Sequence, residues 1–578
     1  MAAPDEYGTL PADADTVVIP RVEPDTVIIP RIRQEGSSTS EGSGTGSVAR
    51  NSAIMALGSI VSRATGFIRT AAVGAAIGAK LVADDYTIAN TLPNMVYELL
   101  LGGVLASVII PVLVRARKTE PDGGDAYAQR LLTLAFVFFG GATVVAVASA
   151  PLLTALMTNG HTTAADSHLI TVLAYLLLPE IFFYGMAALF AAILNVRNHF
   201  AAPMWPPILN NFVVIATAGT FALIHTGANP VAGSLTGAEI TVLGVGTTFG
   251  IVVQAAGLIP ALRKVGFRWR WRWDFRALRL RELARIGSWM LLYVAVSQIG
   301  VMVVLKIARL AGDRHAAGPA IFNYAFLLFM MAHGIVAVSI GTALMPRMSA
   351  AAADGRLADL ASQLSLGTRL SGVILVPAAA GYVVLGRPLA VTLFQWGAYD
   401  HRSAIATGPV IAAAGIALVP YAIGQLQTFV FYALSDTRWP ALINIPAVAL
   451  RLTIDVMFWL VLPAAWIAAA LMSGSAISFV AATALGYWLL RKRLGRLDLT
   501  AVATTLGKLT VAAAGGALLA AVLVGILTRL MGDGKVASIV QLLLGGVVLI
   551  AGYGAAALAM RISEIQEVVR MVGGRLRR

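Results

Sequence analysis

The amino-acid sequence predicts an all-α integral membrane protein with about fourteen transmembrane helices. Of 578 residues, 58% are hydrophobic and only 12% are charged, and the mean hydropathy is +0.79. A soluble globular domain is about half apolar and about a quarter charged. After the first fifty residues, apolar stretches long enough to cross a bilayer follow one another almost without interruption.

The predicted spans follow one another along the chain from residue 52 to residue 560. They lie near 52–79, 86–114, 131–157, 168–194, 204–226, 239–262, 286–311, 319–345, 367–394, 403–433, 439–462, 464–490, 503–530 and 536–560. Pro463 alone separates the eleventh span from the twelfth. The first 48 residues open with the acidic, polar sequence MAAPDEYGTL, unlike a secretion signal, and end in the Ser/Gly-rich SSTSEGSGTGS. They predict a disordered tail.

Basic residues alternate between the loops of this assignment. With the N-terminus in the cytoplasm, the inner loops hold Arg115, Arg117, Lys118, Arg130, Arg197, nine basic residues within 263–285, Arg347, Arg356, Arg369, Arg438, Arg491, Lys492, Arg493 and Arg496. The outer loops hold only Lys80, Arg314, Arg402, Arg529 and Lys535. The positive-inside rule therefore predicts that both termini are cytoplasmic.

The loop 263–285 reads RKVGFRWRWRWDFRALRLRELAR, with basic and aromatic residues interleaved. Such a pattern could stack on nucleic acid. Its place between two spans favours a cytoplasmic amphipathic segment that lies against anionic lipid headgroups.

An internal repeat predicts two related lobes. Pro179 and Arg197 in the fourth span have the same 18-residue spacing as Pro420 and Arg438 in the tenth. Spans 1–6 and 7–12 are thus expected to form two parallel lobes around a central cavity, followed by two extra helices. The predicted segments are a cytoplasmic tail (1–48), an N-lobe (49–262), the basic loop (263–285), a C-lobe (286–490), two extra spans (491–560) and a basic cytoplasmic tail (561–578).

Ionisable residues inside these spans are costly and normally face a cavity or a partner. Arg63 and Arg69 lie within the first span, and Lys306 and Arg309 within the seventh. These cations outnumber the nearby acids within the spans, which predicts a cavity with net positive charge, and guanidinium groups suit a diphosphate. An alternative is structural ion pairs, such as Arg69 with Glu98.

Arg451 and Asp455 are four residues apart in the eleventh span and are predicted to neutralise each other. The alternative is that Asp455 binds a coupling ion. The sequence contains no phosphate-binding loop, no HExxH motif and no cysteine. These features favour a secondary transporter rather than an enzyme, with no cofactor and a coupling ion of unknown identity.

Several motifs, in their order and spacing, resemble the MurJ (MviN) family of lipid II flippases in the MOP exporter superfamily. They are S-R-x-x-G-F-x-R (Ser62 to Arg69), A-D-D-Y (Ala83 to Tyr86), L-P-N (Leu92 to Asn94), I-L-N-x-x-x-x-F-x-x-P (Ile193 to Pro203), G-T-A-L-M-P (Gly341 to Pro346) and F-Y-A-L-x-D-T-R-x-P (Phe431 to Pro440). The resemblance implies a flippase in the plasma (inner) membrane that carries undecaprenyl-diphosphate-linked peptidoglycan precursor to the outer leaflet by alternating access.

The resemblance also implies roles for individual residues. Arg63, Arg69 and Asp84 would line the central cavity, with Ser62 and Glu98 beside them, and the last two spans would form a groove for the lipid tail. An arginine usual in the family's eighth helix is Leu327 here. We expect Lys306 or Arg309 to supply the missing charge.

Three alternatives remain from the sequence. The first is a relative that exports another lipid-linked glycan or, like MATE proteins, exchanges drugs for cations, although an antiporter for cationic drugs should present net acid. The second is a membrane glycosyltransferase or phosphatase, which would need carboxylates or histidines clustered at a membrane face. The third is a scaffold for cytoplasmic partners.

The N-terminal tail contains a duplicated motif. D-T-V-V-I-P-R at 15–21 recurs as D-T-V-I-I-P-R at 25–31, so that Thr16 and Thr26 each have an acid before them and an isoleucine three residues after. This arrangement resembles the phosphothreonine ligands of FHA domains. It predicts two phosphorylation sites that recruit a cytoplasmic regulator of wall synthesis. The alternative is a duplicated linker without a partner.

Overall fold

The computed structural model describes residues 44–101, 109–197, 199–226, 230–278, 280–495 and 497–566. Its regular structure in these ranges is helical. The α-helices are α1 (Gly44–Ile77), α2 (Leu81–Leu101), α3 (Ile110–Thr119), α4 (Asp125–Ala148), α5 (Ala150–Met157), α6 (Ala164–Leu177), α7 (Glu180–Val196), α8 (Pro206–Ile224), α9 (Gly237–Ala256), α10 (Ile259–Lys264), α11 (Leu280–Gly312), α12 (Pro319–Ala353), α13 (Leu357–Phe394), α14 (His401–Ala433), α15 (Arg438–Val461), α16 (Ala464–Leu494), α17 (Leu499–Met531) and α18 (Lys535–Ala559).

Within the described ranges, thirteen helical segments are long and apolar enough to cross a membrane. They coincide with thirteen of the fourteen predicted spans. The other predicted span, 86–114, covers parts of α2 and α3. Residues 102–108 between these helices lie outside the described residues. The separation at Pro463 is present, because α15 ends at Val461 and α16 begins at Ala464.

Three of the predicted spans consist of two consecutive helices. The breaks lie at Ser149–Pro151, at Leu178–Pro179 and at Gly257–Pro260. Proline has no N–H to donate and its ring clashes with the carbonyl four residues earlier, so a helix tends to stop before it and restart at it. Pro420, the repeat counterpart of Pro179, instead lies inside the continuous helix α14.

Helix contacts divide the bundle into two groups and a final pair. In the N-terminal group (α1–α10), α2 packs on α6, α4 on α7, and α9 on α6, α7 and α8. In the C-terminal group (α11–α16), α14 packs on α12, α13 and α16, and α15 on α11 and α16. Helices α17 and α18 pack on each other, and both pack on α13.

The final pair is held by close backbone approach and by one hydrogen bond to α13. A β-carbon at Gly552 would lie 3.0 Å from the Cα of Gly516, so these two glycines let α17 and α18 touch. The Tyr553 hydroxyl donates to the carbonyl of Val373 over 2.8 Å.

The two groups meet at one end of the bundle, which we call the closed end. There α2 and α5 pack against α11, and α2 also packs against α12. The closed end contains the loops 78–80, 158–163, 313–318 and 395–400. The opposite end, which we call the basic end, contains the arginine-rich loops, including residues 265–278.

Candidate transport site between the helix groups

Helix α1 carries the S-R-x-x-G-F-x-R motif and packs on α8. The Asn211 amide donates to the Ser62 carbonyl over 3.2 Å and to the Thr65 hydroxyl over 2.9 Å. Gly66 faces the same amide, and a β-carbon there would lie 3.6 Å from it, at ordinary contact distance. This contact fixes the orientation of α1 and hence the directions of Arg63 and Arg69.

Arg63 reaches from the N-terminal group to α12 in the C-terminal group. Its guanidinium lies against Gly334, where a β-carbon would be 2.7 Å from the Cζ and Nη2 atoms. A side chain at this position would therefore displace the guanidinium. The side chain is partly exposed and makes no ion pair with any residue that the structure describes. Arg63 thus keeps its hydrogen-bonding fork free at the junction of the two groups.

Arg69 lies two turns further along α1 and stays with the N-terminal group. It is within electrostatic range of Glu180 and Tyr184 on α7. Among the described residues it has no ion-pair partner, and it is partly exposed. Glu98 is exposed and likewise unpaired in the described part of the chain, so the alternative pair of Arg69 with Glu98 is absent there.

Lys306 and Arg309 have different environments, although both lie on α11. Lys306 is partly exposed and has no partner among the residues with described positions. Arg309 is fully buried. The expectation that both face a cavity is wrong for Arg309, because three carboxylates surround its guanidinium near the end of the helix.

Arg309 forms ion pairs with both helix groups. It pairs with Asp85 on α2, with Asp166 on α6 over 3.4 Å, and with Asp313, the residue that directly follows α11, over 2.9 Å. Asp313 also accepts from Asn159 over 2.9 Å and from Thr162 over 3.2 Å. We call Arg309, Asp85, Asp166 and Asp313 the latch. The sequence carries one signal for it, since Asp313 follows Arg309 by four residues.

Asp84 belongs to the closed end rather than to an open cavity, which corrects the position that the family resemblance implied. Its carboxylate is buried and accepts a hydrogen bond of 2.8 Å from the backbone N–H of Ala320, in the first turn of α12. Gly312 and Gly318 leave room for it. The carboxylate satisfies an otherwise unpaired helix N-terminus and interacts favourably with the helix dipole.

Two further contacts join the groups at the closed end. The Lys80 ammonium pairs with Asp400 over 2.9 Å, and the Ala398 N–H donates to the Ala75 carbonyl over 2.8 Å. Burial raises the pKa of Asp400, but the N–H of Ser403 and the Lys80 ammonium outweigh it, so that the pKa lies below its usual value. Asp400 is therefore ionised when it pairs with Lys80.

Arg451 and Asp455 lie together on α15, as their spacing predicts. The Nε atom of Arg451 is 3.6 Å from Oδ2 of Asp455. Asp455 is fully buried and rests against Gly474 of α16. Their charges offset each other within the bundle.

An apolar cavity of about 480 Å³ lies where α17 meets the C-terminal group. It is lined by α13, α14, α16 and α17, and its walls include Leu364, Val419, Val480, Val502 and Leu506. The residues that line it come from only one of the two extra spans. The structure therefore shows a cavity shared between α17 and the C-terminal group, and a lipid-tail groove formed by the two extra spans stays a prediction.

Two predicted sites lie outside the described residues. Thr16 and Thr26 fall within residues 1–43, for which the structure gives no description.

Comparisons with known proteins agree with this arrangement. The family model "Lipid II flippase MurJ" matches residues 73–545. The chain is 25% identical over 392 residues to "Lipid II flippase MurJ" of Burkholderia cenocepacia, which covers 67% of this chain and 73% of the relative. It is 24% identical over 477 residues to "Probable lipid II flippase MurJ" of Synechocystis, which covers 81% of this chain and 86% of the relative.

Two solved structures share the fold. One is "Lipid II flippase MurJ, inward closed conformation", with a TM-score of 0.69 at 16% identity, covering 88% of this chain and 99% of that one. The other is an inward-facing multidrug resistance MATE family transporter of the MOP superfamily, with a TM-score of 0.61 at 15% identity. It covers 75% of this chain and 96% of its own.

Proposed function

The chain belongs to the MurJ family of lipid II flippases, and on that premise we propose that it moves the undecaprenyl-diphosphate-linked peptidoglycan precursor, lipid II, across the plasma (inner) membrane. Transport runs from the inner to the outer leaflet. The protein acts as a secondary transporter rather than as an enzyme. Transport requires no cofactor and is coupled to the movement of an ion.

The observation that carries the proposal is the set of unpaired cations between the helix groups. Arg63, Arg69 and Lys306 are partly exposed and have no ion-pair partner within the described part of the chain. A diphosphate offers several oxygens that guanidinium groups can bind in bidentate fashion. Arg63 touches both helix groups, so a diphosphate bound there contacts the two parts that move relative to each other.

The latch supports transport by alternating access. The positive-inside rule places the basic end in the cytoplasm and the closed end outside, so this conformation faces inward. To face outward, the protein must separate Arg309 from Asp85 and Asp166, and Asp84 from Ala320. A diphosphate that binds Arg63 and Arg69 of the N-terminal group together with Lys306 of the C-terminal group would offset the loss of these contacts.

Asp455 is better explained by its pairing with Arg451 than by a coupling ion. A carboxylate beside a guanidinium attracts a second cation only weakly. Neutralising either residue alone should leave the charge of the other buried and unpaired.

The N-terminal tail adds a regulatory element to the proposal. Phosphorylation at Thr16 and Thr26 would recruit an FHA-type or other cytoplasmic regulator of wall synthesis. Mass spectrometry of the native protein tests this, and unmodified threonines under growth conditions would remove the regulator from the proposal.

The direct test is the leaflet distribution of lipid II in cells depleted of this protein. Lipid II should accumulate in the inner leaflet and become inaccessible to an externally added lipid II-cleaving toxin. Re-expression of the wild type should restore accessibility, whereas Arg63→Ala should not. Unchanged accessibility after depletion would contradict the proposal.

The second candidate function is that of a MATE-like antiporter for drugs and cations, which the shared fold favours. Its cationic substrates would meet Arg63, Arg69 and Lys306 and be repelled. Uptake of a fluorescent cationic dye into proteoliposomes separates the two functions.

A further inference from the structure

We propose that a cavity inside the C-terminal group is a second binding subsite, where Arg451 binds a carboxylate of the peptide carried by the translocated precursor. This inference rests on the proposed function. It assigns the diphosphate to the cations between the groups and a different anionic part of the same molecule to Arg451.

The cavity has a volume of about 240 Å³ and is enclosed by α11, α12, α14, α15 and α16. Aromatic side chains form much of its wall, namely Tyr293, Phe326, Phe329, Tyr421 and Phe479. Arg451 is the charged side chain among its lining residues, and none of these residues is acidic. A guanidinium in an apolar, aromatic enclosure attracts an oxyanion more strongly than it would in water.

Arg451 is held so that its fork stays free. Its Nε atom faces Oδ2 of Asp455 at 3.6 Å. Its two Nη groups have no acceptor among the residues that the structure describes. Asp455 is fully buried, and Gly474 makes room for it, because a side chain there would collide with the carboxylate. Asp455 is thus a positioning residue, which leaves the paired Nη donors for a planar, bidentate ligand such as a carboxylate.

Two of the other polar side chains of the cavity are already hydrogen-bonded within the protein. The Asn444 amide donates to the Ser297 hydroxyl over 2.9 Å and to the Tyr293 carbonyl over 3.1 Å. The Ser297 hydroxyl donates to the same carbonyl over 2.9 Å. These bonds use the Asn444 amide and the Ser297 hydroxyl inside the protein. Arg451 is the lining residue that offers charged donors, and a ligand would supply their acceptor.

A short series of contacts leads from this cavity to the site at Arg63. The ring of Tyr421, which lines the cavity, lies 4.5 Å from the ring of His333, measured between centroids. His333 precedes Gly334, against which the Arg63 guanidinium lies. Phe326 at the cavity wall is 38% exposed. A ligand whose diphosphate binds Arg63 therefore has its remaining headgroup next to this cavity.

The test measures the binding of three probes to the purified full-length protein in nanodiscs, namely lipid II, lipid II with amidated peptide carboxylates, and undecaprenyl diphosphate. Lipid II carries both the diphosphate and the peptide carboxylates, whereas undecaprenyl diphosphate carries only the former. The variant is the double substitution Arg451→Gln/Asp455→Asn, which removes both charges and leaves no unpaired charge buried. Arg402→Gln is the matched control, because Arg402 is an exposed arginine at the start of α14. Thermal unfolding checks that all variants are folded.

We expect the double variant to bind lipid II about tenfold more weakly than the wild type, which corresponds to the loss of one charge-assisted hydrogen-bonded pair. Its affinity for undecaprenyl diphosphate should not change. Lipid II with amidated peptide carboxylates should bind the wild type as weakly as lipid II binds the double variant. The control should match the wild type with all three probes.

Two results would overturn the subsite. One is an unchanged affinity of the folded double variant for lipid II. The other is an equal loss of affinity for undecaprenyl diphosphate, which would assign Arg451 to the phosphates. Failure of the wild type to bind either probe would contradict the proposed function itself, and the subsite with it.

Discussion

The same kind of residue has opposite roles in this protein according to its surroundings. Arg63 and Arg309 are both arginines within apolar helices. Arg309 is fully buried among Asp85, Asp166 and Asp313, while Arg63 is partly exposed and lies against a glycine. A buried ion pair holds the protein in the conformation in which its partners are in contact. An unpaired cation at the junction of two moving parts is instead available to bind an anion.

The unpaired cations should carry transport and contribute little to folding. We expect Arg63→Ala, Arg69→Ala and Lys306→Ala to reach wild-type levels in the membrane and yet fail to support growth of a depleted strain. Arg→Lys at 63 or 69 should be only partly tolerated, because lysine lacks the bidentate fork. Immunoblots and complementation measure both properties. Full complementation by all three alanine variants would contradict the assignment.

Arg309 should behave differently from Lys306, its neighbour on α11. Arg309→Met leaves three carboxylates buried without their common partner, and breaking a buried pair costs about 3–5 kcal/mol. We expect a lower melting temperature and a lower membrane level for this variant. Lys306→Met is the matched control and should melt like the wild type. Equal melting temperatures for both variants would mean that the latch does not stabilise this conformation.

The pair on α15 gives a third prediction at this scale. Arg451→Gln or Asp455→Asn alone should lower the level of the protein, and the double substitution should restore it, because no unpaired charge then remains buried. The interaction energy from the double-mutant cycle is the measurement. If Asp455→Asn instead keeps the level and abolishes transport, Asp455 binds a coupling cation.

At the scale of helices, the sequence predicts the number and order of elements well and their interruptions only in part. Hydropathy locates the spans because each must be about 20 apolar residues long to cross the bilayer. The repeat relates Pro179 to Pro420, yet the chain breaks at the former and continues as helix through the latter. Whether a helix tolerates proline depends on neighbours that satisfy the freed carbonyl, and a single sequence does not contain that information.

The candidate transport site could also be predicted only in part from a single sequence. Composition and span position were enough to single out Arg63, Arg69 and Lys306. The latch needed knowledge of which helices pack at the closed end, since Asp85 and Asp166 are distant from Arg309 in sequence. Asp84 likewise found its partner, the N-terminus of α12, more than two hundred residues away.

The cavity beside α17 permits a prediction about the lipid tail. Ala503 lines this cavity and is exposed, so a larger side chain can fill it without overpacking the core. Ala503→Trp should fold normally but reduce lipid II translocation. Thr504→Trp is the matched control, because Thr504 is exposed on the same helix and does not line the cavity. Equal translocation rates for both variants would exclude a role for the cavity.

At the scale of the whole molecule, alternating access requires that the closed end opens once per cycle. Besides the latch, two contacts at loops and helix ends link the N-terminal and C-terminal groups there. They are the ion pair of Lys80 with Asp400 and the backbone hydrogen bond from Ala398 to Ala75. The exposed pair contributes little to stability by itself. Separating these loops therefore requires little free energy once the ion pairs of the buried latch are broken.

A reversible crosslink at the closed end should stop transport in a chain that has no cysteine of its own. We expect Lys80→Cys/Asp400→Cys, joined by a short thiol-specific crosslinker with a reducible bond, to bind lipid II and fail to translocate it. The reason is that the Lys80 and Asp400 side chains lie within 2.9 Å across the two groups, so a covalent bridge between these positions holds the closed end shut. Reduction should restore translocation, and each single cysteine treated with the same reagent should retain it. Full translocation by the crosslinked protein would show that substrate crosses without separation of this end, and alternating access would have to be abandoned.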